Sequence, residues 1–380
     1  VLECYHENIY ADQNVYYFFD EIQYAADWSA WLKTIYDTQP DTKVVATGSA
    51  SPALVRGSTE SGAGRWTVIQ VPALSFYEYC ALLGLSNFQL DPLLKPSQLL
   101  KMTRQERGGI MSKLSAVQNH FSRYLQVGGF PELALAANDL LAEQVMREDV
   151  GDKVLKRDLP ALYNIRNATE LERIFLYLCN VSSEIVAIDA VAKELNGVSR
   201  QTVQNYIDYL ESANLIYLSY PVALDGKKIL KAKPKIYIAD AAIRNAVLMD
   251  SDILTNHIEM GKMVETAVYT HVAAFYYQKA TRVGYYRGGS KNKEIDIVVD
   301  YPNVSNILIE VKSREQAPIS DDDAIVEHCG EAVSSIIITK RADDYGEHLS
   351  GTGKKLLRIP AFAFLYLLGH AEKNGYKGIE

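Results

Sequence analysis

The stretch VYYFFDEIQ, residues 15–23, sets five consecutive apolar residues directly against two carboxylates. Such a run has the character of a central parallel strand buried on both faces. The next segment, YAADWSAWLKTIYDTQPD, reads as a helix: Asp27 is placed to cap it, Trp28, Trp31, Leu32, Ile35 and Tyr36 recur at helical spacing, and Pro40 stops it. A second strand, KVVATGSAS, follows at 43–51. Strand, helix and strand make a right-handed crossover that brings Asp20 and Ser49 to neighbouring carboxyl ends of one sheet, the rim where such sheets bind ligands. The acid pair alone fits either that rim or the start of a solvated loop.

The bulk numbers frame this reading. A chain of 380 residues, 48% hydrophobic and 23% charged, has room for two or three domains with separate cores. No window approaches the ~18 uninterrupted apolar residues of a membrane span, so no membrane association is expected. The first residue is Val1, and nothing near it resembles a signal peptide. Cys4, Cys80, Cys179 and Cys329 form no CxxC pair and read as reduced thiols of a cytoplasmic protein. The net charge of −8 argues against indiscriminate nucleic-acid binding, which leaves local basic patches as the place to look.

Three phrases then take on meaning together. YYFFDEIQ, VVATGSAS and ESGAGRWTVIQVPALSFYEYC resemble a family of bacterial and archaeal AAA+ P-loop ATPases. The resemblance implies ATP and Mg²⁺ as cofactors. It assigns Asp20 to the Mg²⁺, Glu21 to polarising the attacking water and Ser49 to sensing the γ-phosphate. Arg65 becomes either an arginine finger serving a neighbouring subunit of a homo-oligomer, or an exposed loop arginine. Phosphoryl transfer needs these residue types because it is mainly positioning and charge neutralisation. The family's glycine-rich phosphate loop is not found: in GTGKK, His348 stands where the first glycine belongs and Lys355 where the hydroxyl belongs, and DGKK at 225–228 fits no better. The chain therefore reads as truncated within its first domain, and this polypeptide alone is expected to bind and hydrolyse ATP weakly or not at all.

From about 86 to 160 the pattern is helical, with breaks at KPS and GG. Leu114, Val117, Phe121, Tyr124 and Leu125 mark one apolar face that ends at Gly128–Gly129, and YLQVGGFPELAL is a further phrase of the same family. Residues 171–240 read as a winged helix-turn-helix. Its third helix starts after Ser199 and buries Val203, Tyr206, Ile207 and Leu210. Arg200 and Gln204 could face base edges, and Lys228, Lys231 and Lys233, in a run with Lys227 and Lys235, could face the phosphates of a DNA partner. A purely protein-packing role for the module fits the same residues.

The last domain carries the second chemical passage, KEIDIVVDYPNVSNILIEVKSRE at 293–315. Strict alternation puts Glu294, Asp296 and Val298 on one side of a strand and Ile295, Ile297 and Val299 on the other. In the next strand Glu310 and Lys312 point together. Two paired strands thus gather Asp296, Glu310 and Lys312, a set able to bind Mg²⁺ and orient water. The arrangement resembles the PD-(D/E)XK nuclease core, in which Glu265 matches the acid of the preceding helix. The expected fold class is α/β, comprising a partial P-loop NTPase (AAA+) core at 1–85, a helical region at 86–165, a winged helix at 166–240 and a PD-(D/E)XK-like domain at 241–380. The function expected is an ATPase coupled to a nuclease-like domain acting on DNA. A metal-dependent nuclease, or a binding adaptor, with an ATPase remnant is the alternative.

Overall fold

The computed structural model describes residues 15–48, 65–195, 197–224, 233–249, 256–276, 282–288, 293–301, 306–312, 318–351 and 353–375. The chain forms two compact units, residues 1–71 with 208–214, and residues 72–207 with 215–380.

In the first unit, β1 (Tyr16–Phe19) pairs in parallel with β2 (Lys43–Ala46), from Tyr16↔Lys43 to Phe19↔Ala46. The connecting helix α1 (Trp28–Thr38) buries Leu32 and Ile35 against Phe19, Val44, Ala46 and Trp66. Two local expectations are corrected. β1 is not buried on both faces: Tyr16 and Phe18 are 64% and 74% exposed, because among the described residues β1 pairs with β2 alone and α1 covers one face. Asp27 does not cap α1 with its side chain. Its left-handed backbone (φ 52°) departs from the extended conformation that a capping side chain needs to reach the first N–H groups.

The second unit begins with helices. α2 (Phe76–Leu82) opens on a reciprocal capping box: Ser75 Oγ accepts from Glu78 N at 3.3 Å, and the Glu78 carboxylate accepts from Ser75 N at 2.8 Å. The phrase LSFYE is thus a helix start, and Phe76, fully buried, packs against Phe121, Tyr124 and Tyr366. α3 (Arg104–Gln118), α4 (Phe121–Val127) and α5 (Pro131–Ala134) follow. α6 (Asp139–Arg147) runs on as a π-helix over Glu148–Asp158 and returns to α geometry in α7 (Leu159–Tyr163).

Gly128 and Gly129 are explained by crowding. A Cβ on Gly128, at φ +77°, would lie 2.5 Å from Asp240 Oδ1, and one on Gly129 would lie 2.3 Å from Leu74 O. Gly129 N donates to Asp240 Oδ2 at 2.9 Å, and Asp240 Oδ1 accepts from Ala242 N at 2.8 Å.

α8 (Ala168–Asn180), β3 (Glu184–Ile185), α9 (Ile188–Glu194), α10 (Arg200–Ser212), β4 (Ile216–Ser219) and β5 (Lys235–Ile238) come next, the strands forming an antiparallel sheet ordered β3-β5-β4. Ser199 Oγ accepts from Thr202 N at 3.0 Å, and Val203, Tyr206, Ile207 and Leu210 are buried, both as the sequence implies. α11 (Ala241–Leu248) follows directly from β5.

The C-terminal part is an α/β layer. α12 (His257–Tyr276) precedes β6 (Arg282–Gly288), β7 (Lys293–Asp300) and β8 (Ile307–Lys312), an antiparallel meander. After α13 (Ala324–His328), β9 (Ser334–Thr339) pairs in parallel with β8, and β11 (Lys355–Pro360) in parallel with β9. β10 (Gly346–Leu349) closes the edge antiparallel to β11, giving the order β10-β11-β9-β8-β7-β6, and α14 (Ala361–Lys373) ends the fold. The chain after β4 docks on β6: Val222 N donates to Tyr285 O at 2.7 Å, and a Cβ on Gly284 would lie 2.2 Å from Tyr220 O.

One expectation about β7 is corrected. From Gly284 to Tyr286, β6 advances two residues while β7 goes from Val298 to Ile295, three residues, so β7 carries a bulge at Asp296–Ile297. The strict alternation breaks there, and Ile295 and Val298 join the same apolar cluster with Leu308, Ile337 and Leu356.

Candidate active site

Two places carry the residues singled out by the sequence, and each is built at the end of a strand pair. In the first unit, Asp20 and Thr47 each stand one residue beyond paired ends. Thr47 N donates to Phe19 O at 2.8 Å, and the Thr47 hydroxyl donates to the Asp20 carboxylate. Ser49 lies outside the described residues, so the neighbour of Asp20 seen here is Thr47. Glu21 has a left-handed backbone (φ 51°, ψ 43°), sparsely populated for a non-glycine residue, and accepts a hydrogen bond from the Gln23 amide. Arg65 is engaged by Asp37, with Nε–Oδ1 at 3.0 Å, in a partly exposed pair.

The second place is in the α/β layer. β7 and β8 are paired from Val299↔Ile307 to Ile297↔Ile309. Beyond that point the Asp296 side chain takes over, with Oδ2 accepting from Val311 N at 2.9 Å. Glu310 and Lys312 share the next stretch of β8, with Lys312 Nζ donating to Glu310 Oε1 at 2.9 Å and lying 3.8 Å from Asp323. Glu265 arrives from α12, where Tyr237 Oη donates to its Oε1 at 2.9 Å. Glu265, Asp296, Glu310 and Lys312 are therefore gathered in one region.

A further residue sits among them. Lys235, at the start of β5, is 3% exposed, and its Nζ lies 2.8 Å from Glu265 Oε1, 2.8 Å from Glu294 Oε1 and 3.2 Å from Asp296 Oδ1. Reading Lys235 with the surface lysines that meet phosphates is thus corrected: β5 is the central strand of its sheet, and burial turns the lysine inward. Its neighbours in sequence disguised it, since a run of lysines looks solvated throughout. Glu294 was legible as a face-mate of Asp296. Arg200 is exposed and paired with Asp189 at 3.2 Å, Gln204 lies on the same helix, Lys233 is exposed, and Lys228 and Lys231 lie outside the described residues.

Electrostatically the cluster is short of positive charge. Burial, reinforced by Asp296, lifts both Glu265 and Glu310 well above the usual carboxylate range, against the pull of Lys235 and Lys312. Glu310 Oε2 is buried and has no hydrogen-bond partner among the described residues. Among the described residues no three His, Cys, Asp or Glu side chains stand close enough to hold a metal ion as they are. Three of the carboxylates instead surround the Lys235 ammonium. A cavity of about 280 Å³ opens beside Lys312, lined also by Phe121, Val311, Thr339, Lys340 and Phe362.

The raised carboxyls predict a pH dependence in metal-free buffer. The native state holds protons that unfolded glutamates, with pKa near ~4.3, release. The contribution of these two carboxyls to stability is therefore fully present below pH ~4.3 and is lost as pH rises through about 7 for Glu265 and about 8 for Glu310. Denaturant titrations between those limits check this, and Glu310→Gln should flatten the upper part of the slope.

Comparison with known proteins bears on both places. Residues 1–80 match a family model described as an AAA domain, while residues 118–253 and 260–362 match two domains of unknown function, DUF8612 and DUF4143. Two uncharacterized proteins of Methanocaldococcus jannaschii are similar, at 23% identity over 286 residues and 24% over 322. An uncharacterized protein of Haemophilus influenzae is 23% identical over 238 residues. The aligned stretches cover 74%, 81% and 62% of this chain, but only 58%, 63% and 52% of those relatives, in the same order. No solved structure matches the chain. No helix among the described residues is long and apolar enough to cross a membrane. The AAA-domain match supports a nucleotide-binding, ATPase-like function for the first segment, joined to a C-terminal DUF4143 segment that contains Glu265, Glu294, Asp296, Glu310 and Lys312, while Lys235 falls in the DUF8612 segment.

Proposed function

We propose that the chain couples an AAA+ ATPase segment to a winged helix and a PD-(D/E)XK-like core whose metal-dependent centre cleaves nucleic acid. The observation that carries the nuclease reading is Glu310 Oε2, a buried carboxyl oxygen that meets no donor among the described residues, beside Asp296 and two residues from Lys312. Its donor set is all oxygen, which suits Mg²⁺ or Mn²⁺. Asp296, Glu310 and Glu265 would hold the ion, and a divalent cation there supplies Lewis-acid polarisation of a phosphodiester. Lys312 lines the cavity and is placed to orient water or steady developing negative charge. At the bulge over Asp296–Ile297 the Asp296 carboxylate, in place of a backbone carbonyl, takes the Val311 N–H, and bulges are common beside active sites.

The helix–strand–helix–helix–strand–strand order with sheet β3-β5-β4 supports the winged-helix reading. Arg200, Gln204, Lys228, Lys231 and Lys233 are its proposed DNA contacts. In the ATPase segment Asp20 would hold Mg²⁺, Glu21 would polarise water, Ser49 would sense the γ-phosphate of ATP and Arg65 would reach a neighbouring subunit. The Arg65–Asp37 pair is no obstacle to that last role, since exposed ion pairs are worth only about 0–1 kcal/mol. The test is cleavage of labelled single- and double-stranded DNA and RNA with Mg²⁺ or Mn²⁺. The expected result is cleavage that chelation abolishes and Asp296→Ala eliminates. Cleavage that Asp296→Ala leaves intact, or none with any substrate, would overturn the nuclease reading.

A further inference from the structure

We infer that Lys235 is an internal cation of the carboxylate centre, one that a divalent metal must displace in order to bind. The inference rests on the metal-site reading above and adds the group that regulates it. An ammonium has three N–H donors, and Lys235 Nζ has a carboxylate oxygen for each, on Glu265, Glu294 and Asp296 at 2.8, 2.8 and 3.2 Å. Those separations suit an ammonium, whereas Mg²⁺ needs oxygens at ~2.1 Å and Ca²⁺ at ~2.4 Å.

Both oxygens of Asp296 are taken, Oδ1 by Lys235 and Oδ2 by Val311 N, while Glu265 Oε1 is held by Lys235 and by Tyr237 Oη. Glu310 Oε2 is buried and meets no donor among the described residues. For Asp296 and Glu265 to join Glu310 around one ion, Lys235 has to release them.

Charge gives the same direction. Fully ionised, as a bound cation would require, Glu265, Glu294, Asp296 and Glu310 would carry four negative charges against two positive charges on Lys235 and Lys312. A divalent ion that entered without expelling Lys235 would face an ammonium within the same shell of oxygens. Lys235 does not belong to the α/β layer. It is supplied by β5, whose sheet is tied to β6 through Val222–Tyr285 and through Tyr285 Oη donating to Lys233 O at 2.8 Å. The occupancy of the centre is thereby tied to the seating of β5.

The experiment measures Mn²⁺ binding to the chain and to Lys235→Met, beside acetylation of Lys235 by acetic anhydride read out by mass spectrometry. Lys235→Met should bind Mn²⁺ at least tenfold more tightly. In the unsubstituted chain, Lys235 should be protected without metal and become reactive as Mn²⁺ saturates. A folded Lys235→Met that binds no more tightly would overturn the inference, as would Lys235 labelling that Mn²⁺ leaves unchanged. The labelling arm decides the matter should Lys235→Met fail to fold. Binding that Glu310→Gln abolishes, with affinity indifferent to Lys235, would leave the metal-site reading standing while this one falls. No Mn²⁺ binding in either protein would remove both.

Discussion

Replacing Asp240 by alanine should lower the unfolding free energy by about 3 kcal/mol. The carboxylate is buried and does two jobs with its two oxygens. Oδ1 caps α11 through Ala242 N at 2.8 Å, and Oδ2 accepts from Gly129 N at 2.9 Å. Losing a side-chain cap costs about 0.5–2 kcal/mol. Leaving the buried Gly129 N–H without an acceptor costs about 1–3 kcal/mol more. Burial raises the Asp240 pKa, and those two N–H groups pull against that rise. Asp240→Asn keeps one acceptor oxygen and should recover part of the loss. Denaturant titration of the second unit checks this, with an unchanged slope and a lowered midpoint expected. A loss below about 1 kcal/mol would mean that neither hydrogen bond matters as described.

The second large effect concerns activity. On the proposed nuclease reading, Lys312→Ala should reduce metal-dependent cleavage at least ~100-fold, the usual scale for losing one charged group aimed at the transition state. Lys312 Nζ bonds to Glu310 Oε1 at 2.9 Å, and Lys312 is one of the residues that line the cavity. Metal affinity should change much less, since Lys312 is not a proposed ligand. Lys312→Arg should not restore the rate, because a planar guanidinium cannot occupy the place of a compact ammonium. Single-turnover cleavage at saturating Mn²⁺ separates these effects. A rate within a few-fold of the unsubstituted chain would take Lys312 out of the chemistry.

Much of this architecture could be read from local pattern. The apolar run ending at Asp20, the helix after it and the parallel partner at 43–46 were legible because each follows a short-range rule of burial period or strand length. The gathering of Asp296, Glu310 and Lys312 was legible because pairing two strands brings their like faces together. What escaped the sequence depended on tertiary neighbours. The bulge in β7 shifts Ile295 to the side of Val298, and no single residue there announces it. Lys235 looked like one solvated lysine among five, and only the central place of β5 turns it inward. Gly128–Gly129 looked like a simple helix stop, whereas the approach of Asp240, more than a hundred residues away, is what requires them. The exposed faces of Tyr16 and Phe18 likewise depend on what lies beside β1, which strand composition does not state.

The central claim is that Asp296 and Glu310 form a divalent-cation site. Anomalous scattering from crystals saturated with Mn²⁺ tests it most directly. The account predicts a Mn²⁺ peak bonded to both carboxylates, with Lys235 withdrawn from Asp296, and no peak there in Glu310→Gln. A chain saturated with Mn²⁺ that shows no density between the two carboxylates, and Lys235 still seated on Asp296, would contradict it.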